Sequence, residues 1–208
     1  MAADGATPGV PAPRAWLRGA AWLLGLALGA PLLAQPIGDR EMQVEAAFLV
    51  NFVRYAEWPA HRFADPDAPY VIAVVDGGAG TATDTIAAIA RAAGPIQGRR
   101  IEVRAVDLTG RKGSEQRKAA LARLRASHLA FLPSTSPAST AEFLAALEGS
   151  PVLTVGDAKG FVAAGGMLGL VRSGPRVAFE ANPEAIQAGG LGLSAKVLKL
   201  ARIRQGRP

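Results

Sequence analysis

The side chains best suited to binding chemistry are three charged residues of a predicted hairpin, Arg172, Arg176 and Glu180. A guanidinium presents a planar fork of N–H donors that matches a carboxylate or a phosphate. Arg172 ends one predicted strand and Arg176 begins the next, so both arginines flank the same short Ser-Gly-Pro turn. Two interpretations stay open. The simpler is a solvated hairpin face, and the functional one is an anion or partner contact at the edge of a sheet.

A glycine-rich turn offers a second kind of binding chemistry. Its glycines follow a predicted strand and precede a predicted helix, and main-chain amides at a helix start can hold a phosphate. The turn departs from the G-x-G-x-x-G pattern, because Thr83 stands where the third glycine belongs, and it has no Walker lysine. We expect a plain turn. The possible ligand-binding residues are Gly77, Gly78, Gly80, Arg172 and Arg176.

Reactive side chains are scarce in this chain of 208 residues, which has two histidines and no cysteine. A serine hydrolase needs a histidine beside its nucleophile, and the G-x-S-x-G pattern does not occur near His61 or His128. Asp65 and Asp67 lie in a proline-rich loop without a metal-ligand spacing, and they predict a turn. We therefore predict no catalytic residues, no metal site and no cofactor.

The spacing of apolar residues predicts the elements that position these side chains. Apolar runs or strict alternation predict strands at residues 70–76, 100–106, 128–132, 152–155, 167–172 and 176–181. Helical spacing predicts a first helix at 41–57 and single helices between later strands, one of them at 115–125. Such alternation implies right-handed crossovers and a parallel sheet. The predicted fold class is α/β: a three-layer α/β sandwich with a mixed, mostly parallel sheet of about six strands that ends in an antiparallel hairpin.

Capping patterns predict where helices begin. Thr81-x-x-Asp84 and Ser139-x-x-Glu142 both match a capping box. Asn182 before a proline predicts the start of the last helix. That helix is expected to break at Gly189 and Gly190, to resume near Ser194 and to bury three side chains, Val197, Leu200 and Ala201.

The aromatic residues at the first helix predict a core contact. Phe48, Phe52 and Tyr55 recur at helical spacing, and Trp58 follows where the helix ends. The alternative is a surface pocket lined by Trp58 and Phe63. Core packing is favoured, because the sequence brings no polar side chains together there.

Composition and the amino-terminal residues indicate the compartment. Half of the residues are hydrophobic and 19% are charged, which excludes a disordered chain. The net charge of +6 is spread along the chain, without the basic stripe interleaved with aromatic residues that is typical of nucleic-acid binding, and this argues against a nucleic-acid partner. Arg14 and Arg18 precede an apolar segment that ends at the small residue Ala34, as in an export signal. We predict a cleaved signal peptide at 1–34, a single domain at 35–208, a periplasmic location and no membrane span after cleavage. An uncleaved anchor is the alternative.

Three segments together resemble the YfiR family of periplasmic proteins. They are E-A-A-F-L-V-N-F-V-R-Y-A-E-W-P at 45–59, V-L-T-V-G-D-A-K-G-F-V-A-A-G-G-M-L-G-L-V at 152–171, and R-V-A-F-E-A-N at 176–182, which leads into G-L-G-L-S-A-K-V-L-K-L-A at 190–201. The resemblance implies a non-enzymatic, homodimeric regulator that binds the periplasmic domain of an inner-membrane diguanylate cyclase or sensor protein. It would repress cyclic di-GMP synthesis and with it biofilm and exopolysaccharide output. The family's redox control through disulfides cannot operate in a chain without cysteine.

On this interpretation the partner contacts the hairpin and the loop that leads to it. The predicted contact residues are Phe161, Met167, Leu170, Arg172, Arg176, Phe179 and Glu180. The main alternative is a periplasmic small-molecule sensor or carrier that holds its ligand at the strand ends. A hydrolytic enzyme is the third alternative, and it requires His61 or His128 beside an exposed serine.

Overall fold

The computed structural model describes residues 37–76, 80–136, 138–173 and 176–204. All of them belong to one compact unit, Pro36–Pro208. The predicted signal peptide and the glycines Gly77 and Gly78 lie outside the described residues.

Helices and strands alternate along the chain, as the apolar pattern predicts. The helices are α1 (Ile37–Tyr55), α2 (Thr81–Ala93), α3 (Glu115–Arg125), α4 (Thr140–Leu147), α5 (Pro183–Ala188) and α6 (Ala195–Leu198), and Ala60–Arg62 forms a short 3-10 turn. The strands are β1 (Ala56–Glu57), β2 (Tyr70–Val74), β3 (Ile101–Ala105), β4 (Leu129–Leu132), β5 (Leu153–Gly156), β6 (Leu168–Ser173), β7 (Arg176–Ala181), β8 (Gly192–Leu193) and β9 (Arg202–Ile203).

Seven of these strands form one mixed sheet in the order β3-β2-β4-β5-β6-β7-β9. The first five strands in this order, from β3 through β2, β4 and β5 to β6, are parallel to one another. Strand β7 then runs antiparallel to β6 and forms the predicted hairpin with it. The additional strand is β9, which pairs in parallel with the end of β7 through only two residues. The α/β fold class with a mostly parallel sheet and a terminal hairpin is therefore confirmed.

Both faces of the sheet are buried under helices. Neighbouring residues of β4 show the alternation: Phe131 packs with Ile86 of α2 in one apolar cluster, whereas Ala130 packs with Leu124 of α3 and Phe143 of α4 in the other. Because successive side chains of a strand point to opposite faces, the near-continuous apolar strands supply two cores. The structure is a three-layer sandwich, as predicted.

The cap predictions are confirmed at two helices and wrong at one. The Ser139 hydroxyl accepts a hydrogen bond from the third main-chain N–H of α4 (3.2 Å), and the Asn182 side chain does the same at α5 (3.1 Å). Thr81 is instead the first helical residue of α2, preceded by Gly80, whose φ of 75° is a left-handed conformation that glycine adopts without steric penalty. Glycine geometry, rather than a hydroxyl, thus begins this helix.

The carboxyl-terminal helix is shorter than predicted. Ser194 caps it, and Val197 is buried, but α6 ends at Leu198 after a single turn. The chain then turns to add β9 to the sheet, and this leaves Leu200 77% exposed and Ala201 only partly buried. The prediction that Leu200 is a core residue is wrong, because strand pairing replaces the second helical turn.

Candidate functional site

The register of the hairpin separates its two arginines. Arg172 of β6 faces Val177 of β7 across the ladder, while Arg176 faces Ser173. Residues opposite each other in an antiparallel ladder share a face, and neighbours along a strand do not. Arg172 and Arg176 therefore flank one turn, as expected, but project from opposite faces and do not form a joint anion site.

Arg172 projects towards α1. Its guanidinium forms a two-point ion pair with the Glu41 carboxylate, through Nε and one terminal nitrogen. The arginine side chain is 77% exposed and the glutamate side chain 19% exposed. The hairpin tip is thereby joined to the start of α1 by a pair whose arginine remains accessible to solvent.

Most of the predicted contact residues belong to the core rather than to a surface. Phe161, Met167, Leu170 and Phe179 are each no more than 8% exposed. Glu180 is partly buried and accepts a hydrogen bond from Nε of Arg204 at 2.9 Å. Of the seven residues, only Arg172 and Arg176 are exposed.

Aromatic packing explains this burial on the helical face of the hairpin. The Phe179 ring lies 5.1 Å from the ring of Phe52 and 5.8 Å from that of Phe48, measured between centroids. The core position predicted for the aromatic residues of α1 is confirmed for Phe52, and Phe48 is partly buried and packs against the same core. Tyr55 differs, because it is 38% exposed at the end of the helix.

A cavity of about 690 Å³ lies at the carboxyl end of β5, beside the hairpin. Its lining is strongly charged, and the acids and bases are Glu41, Glu45, Asp157, Glu180, Lys159, Arg172 and Arg204. Of the predicted ligand-binding residues that the structure describes, Arg172 lines this cavity, whereas Gly80 and Arg176 do not. Leu170 and Glu180 from the predicted contact set also line it.

Glu45 is the most unusual acid of the cavity, because its residue is only 6% exposed. Burial raises the pKa of its carboxyl to about 7, and the neighbouring carboxylates of Asp157 and Glu41 add to this effect, against the opposing charge of Arg172. The carboxyl of Glu45 therefore changes charge near neutral pH, which an exposed glutamate does not do.

Asp157 follows β5 and is held by Ser134 from the segment after β4. The Ser134 hydroxyl donates to one carboxylate oxygen at 3.0 Å, and the Ser134 main-chain N–H donates to the other. Burial raises the pKa of Asp157, and these two hydrogen bonds work against that rise. The result is a fixed acid at the carboxyl end of two adjacent parallel strands.

Sequence reasoning missed Glu45 and Asp157, although each carried a signal. Glu45 stands four residues before Leu49 and seven before Phe52, and so lies on the buried stripe of the first helix. Asp157 directly follows an apolar strand, where the side chains of open α/β sheets meet their ligands.

His128 is a structural residue in an aromatic cluster with Trp58, Phe63 and Tyr70. It is 4% exposed, its ring stacks on Phe63 with centroids 4.7 Å apart, and its Nδ1 accepts the Val71 main-chain N–H at 3.0 Å. Burial lowers the pKa of His128 to about 4, and the positive charge of Arg62 is the second cause of this decrease. Because Nδ1 is already occupied, this ring is poorly placed to act as a general base through that atom.

Trp58 and Phe63 pack around this histidine instead of lining an open pocket. The indole N–H of Trp58 donates to the His128 carbonyl at 2.9 Å, and the rings of Trp58 and Phe63 lie 5.5 Å and 5.4 Å from that of Tyr70. The guanidinium of Arg99 lies 4.1 Å above the Phe63 ring. Trp58 and Phe63 are thus partly buried and packed against the apolar core, as the core interpretation predicts.

Neither a metal-binding cluster nor a membrane-spanning helix is present in the part of the chain that the structure describes. There, no group of three or more histidine, aspartate or glutamate side chains could hold a metal ion. Asp67 instead donates its main-chain N–H to the Asp65 carboxylate at 2.8 Å, which is the predicted turn. Within the same residues, no helix has both the length and the apolar character needed to cross a bilayer.

Comparison with known proteins identifies a family and a shared fold. A family model described as YfiR/HmsC-like matches residues 42–202. A solved structure, titled as a conserved domain protein from Vibrio cholerae O1 biovar El Tor strain N16961, superposes with a TM-score of 0.50 at 12% sequence identity. The match covers 78% of this chain and 59% of the Vibrio chain, so it shows a shared fold over part of a longer protein. No curated protein matches the chain.

Proposed function

Because this chain belongs to the YfiR/HmsC-like family, we propose that it is a periplasmic, non-enzymatic regulator of a membrane diguanylate cyclase. It binds the periplasmic sensor domain of the cyclase and represses the synthesis of cyclic di-GMP, which controls biofilm and exopolysaccharide output. The observation that carries the proposal is the family match, which spans residues 42–202 and thus every helix and strand from α1 to β9 in whole or in part.

The mechanism requires only differential binding. A regulator that binds the inactive conformation of the sensor domain more tightly than the active one shifts the cyclase towards the inactive state. The shift cannot exceed the difference between the two affinities. No group on the regulator has to react, which fits a chain whose buried histidine is committed to packing.

The tip of the hairpin is the proposed contact with the sensor domain. Arg172 and Arg176 are exposed there, on opposite faces of the two strands, and can each meet an acidic group of a partner that clasps the tip. Charges at the rim of an interface act mainly on the association rate and on its salt dependence. The partner surface is therefore expected to be acidic.

Charge reversal tests the contact. In a binding assay with the periplasmic sensor domain of the partner cyclase, Arg176→Glu and Arg172→Glu should each weaken binding about tenfold and raise cellular cyclic di-GMP. The matched control is Arg111→Glu. Arg111 is exposed in the loop after β3, and β3 is the edge strand at the opposite end of the sheet from the hairpin. Unchanged affinity for both hairpin variants would contradict this contact surface, and unchanged cyclic di-GMP on deletion of the regulator would contradict the function.

Export by a signal peptide at 1–34 is part of the proposal. Fractionation of the producing cells should place the protein in the periplasm, with a mature amino terminus at residue 35. The proposed homodimer is tested on the same material by light scattering. A protein that stays in the cytoplasm would exclude contact with a periplasmic sensor domain.

A periplasmic small-molecule sensor or carrier is the second candidate. It is favoured by the charged cavity at the carboxyl end of β5, the place where open α/β sheets bind ligands. Both functions are compatible, because a ligand can supply the release signal that disulfide chemistry cannot supply in a chain without cysteine.

A further inference from the structure

The cavity beside the hairpin has the size and position of a small-molecule site. Its volume of about 690 Å³ falls within the range of roughly 300–1,000 Å³ typical of such sites. It adjoins Ser134 and Asp157, which follow the parallel strands β4 and β5. Apolar side chains also contribute to its wall, among them Leu170, Val177 and Ala163.

Most of the charges in this cavity are already matched. Arg172 is paired with Glu41, and Arg204 is paired with Glu180 at 2.9 Å. Two acids, Glu45 and Asp157, remain outside these ion pairs, together with the exposed cation Lys159. The charged groups without an ion-pair partner in the interior of the cavity are therefore both acids, Glu45 and Asp157. Their negative charge argues against an anionic ligand in the interior of the cavity.

Glu45 is the group that points to a ligand. It lines the cavity, it is 6% exposed, and among the described residues none donates a hydrogen bond to its carboxylate or forms an ion pair with it. Its carboxylate oxygens are not among the buried side-chain atoms that lack a hydrogen-bond partner, which in the described residues are Nε of Arg62 and Nε2 of His128, so these oxygens keep accessible surface on the cavity wall and can accept hydrogen bonds from a ligand there. Asp157 accepts two hydrogen bonds from Ser134, but a carboxylate has lone pairs for further donors.

We propose that this cavity binds a small organic amine, whose ammonium group meets Glu45 and Asp157 and whose aliphatic part lies against Leu170 and Val177. An ammonium supplies three N–H donors, which suits two acids that both have acceptor capacity left. A bound divalent cation fits less well, because the described residues contain no cluster of three or more acidic or histidine side chains that could hold a metal.

The charge state of Glu45 gives binding a characteristic pH dependence. The groups that act on it are Asp157 and Glu41, which disfavour its ionised form, and Arg172, which favours it. A bound ammonium requires the ionised form, so amine binding releases a proton when it occurs below a pH of about 7. Affinity should rise about tenfold from pH 6 to pH 8 and then level off.

Calorimetric titration of the purified protein tests the proposal with four simple probes. They are n-butylamine, 1,4-diaminobutane, 1-butanol as the uncharged analogue and calcium chloride as the metal. The amines should bind and the alcohol should not, and binding should strengthen with pH as described. Glu45→Gln should weaken amine binding at least about tenfold and remove its pH dependence. The matched control Glu148→Gln, at an exposed residue outside the cavity, should leave both unchanged.

Several outcomes would overturn the proposal: no amine binding to the wild-type protein, equal binding of butylamine and butanol, calcium binding that Glu45→Gln abolishes, or full amine affinity in Glu45→Gln. Circular dichroism of each variant confirms that it is folded. The measurement needs no cyclase, so its failure would leave the proposed repression standing. Conversely, normal amine binding by the purified protein together with unchanged cyclic di-GMP on deletion of the regulator would contradict only the regulatory function.

Discussion

The ring of Phe161 lies so close to Gly156 that a methyl group added at the glycine would stand 2.4 Å from its Cδ2 atom. Gly166 borders the same ring, and a methyl group there would stand 2.2 Å from Cε1. Phe161 is 2% exposed and packs with Phe143 of α4, at 6.0 Å between ring centroids. The absence of side chains at Gly156 and Gly166 thus leaves the space that the Phe161 ring occupies. The buried ring anchors the loop after β5 to the sheet.

Gly156→Ala should destabilise the protein by about 1–3 kcal/mol, because the added methyl group must displace a buried aromatic ring in a packed core. Chemical denaturation measures this as a lower midpoint with an unchanged slope. Gly110→Ala is the control, since its methyl group would meet no atom outside the adjoining residues closer than 3.5 Å. Equal stabilities of Gly156→Ala and the wild type would show that Phe161 is not held as the structure has it.

Glu45→Gln should make the protein more stable at alkaline pH. The carboxyl titrates near 4.5 when unfolded and at about 7 when folded, so the stability that it contributes below pH 4.5 is lost as the pH rises to 7. Glutamine resembles the neutral acid and does not ionise. The variant should therefore gain up to about 3 kcal/mol over the wild type between pH 4 and pH 8.

The measurement for Glu45→Gln is the free energy of unfolding across this pH range, compared with the wild type. Glu148→Gln again serves as the control, because the exposed Glu148 lines no part of the cavity. A constant difference between Glu45→Gln and the wild type at all pH values would contradict a buried, titrating Glu45.

His128 should produce the opposite dependence. Its pKa is lowered from 6.5 to about 4 on folding, so the unfolded chain takes up the proton first, and stability is lost as the pH falls from 6.5 to 4. The full loss is up to about 3 kcal/mol. His128→Asn keeps an acceptor for the Val71 N–H but cannot titrate, so its stability should fall less over this window.

The comparison is best made in the Glu45→Gln background, because Glu45 titrates over an overlapping pH window with the opposite sign. The asparagine also loses the ring stacked on Phe63, which lowers stability at every pH and leaves the slope as the informative quantity. If the free energy of unfolding changes with pH equally with and without His128, the histidine is not neutral in the folded core.

Asn182→Ala should cost about 1–2 kcal/mol, because the side chain caps α5 and is 3% exposed. Asn182→Asp keeps an acceptor for the Ala185 N–H, and an acid is favourable at a helix start, so it should retain most of the stability. Thermal melting of the two variants is sufficient. A destabilisation by aspartate as large as that by alanine would show that the cap hydrogen bond contributes little.

The pattern of apolar residues was sufficient to determine the order and type of most elements. The helix predicted at 115–125 is found at Glu115–Arg125, and the strands predicted around Ile72, Val103, Phe131 and Val155 are all present. These elements could be predicted because the periodicity of a strand or a helix depends only on residues that are close together in the sequence. The caps at Ser139 and Asn182 were predicted for the same reason.

Only the tertiary structure decided what the surface and the candidate site contain. The hairpin register sends Arg172 and Arg176 to opposite faces, and the fit of Phe161 and Phe179 against distant partners removes them from the surface. Glu45 and Asp157 lie far apart in sequence and meet because α1 packs beside the carboxyl end of β5. A sequence records which residues can be buried or charged, but long-range packing determines which of them share a cavity, because neither burial nor the resulting pKa is a property of the local chain.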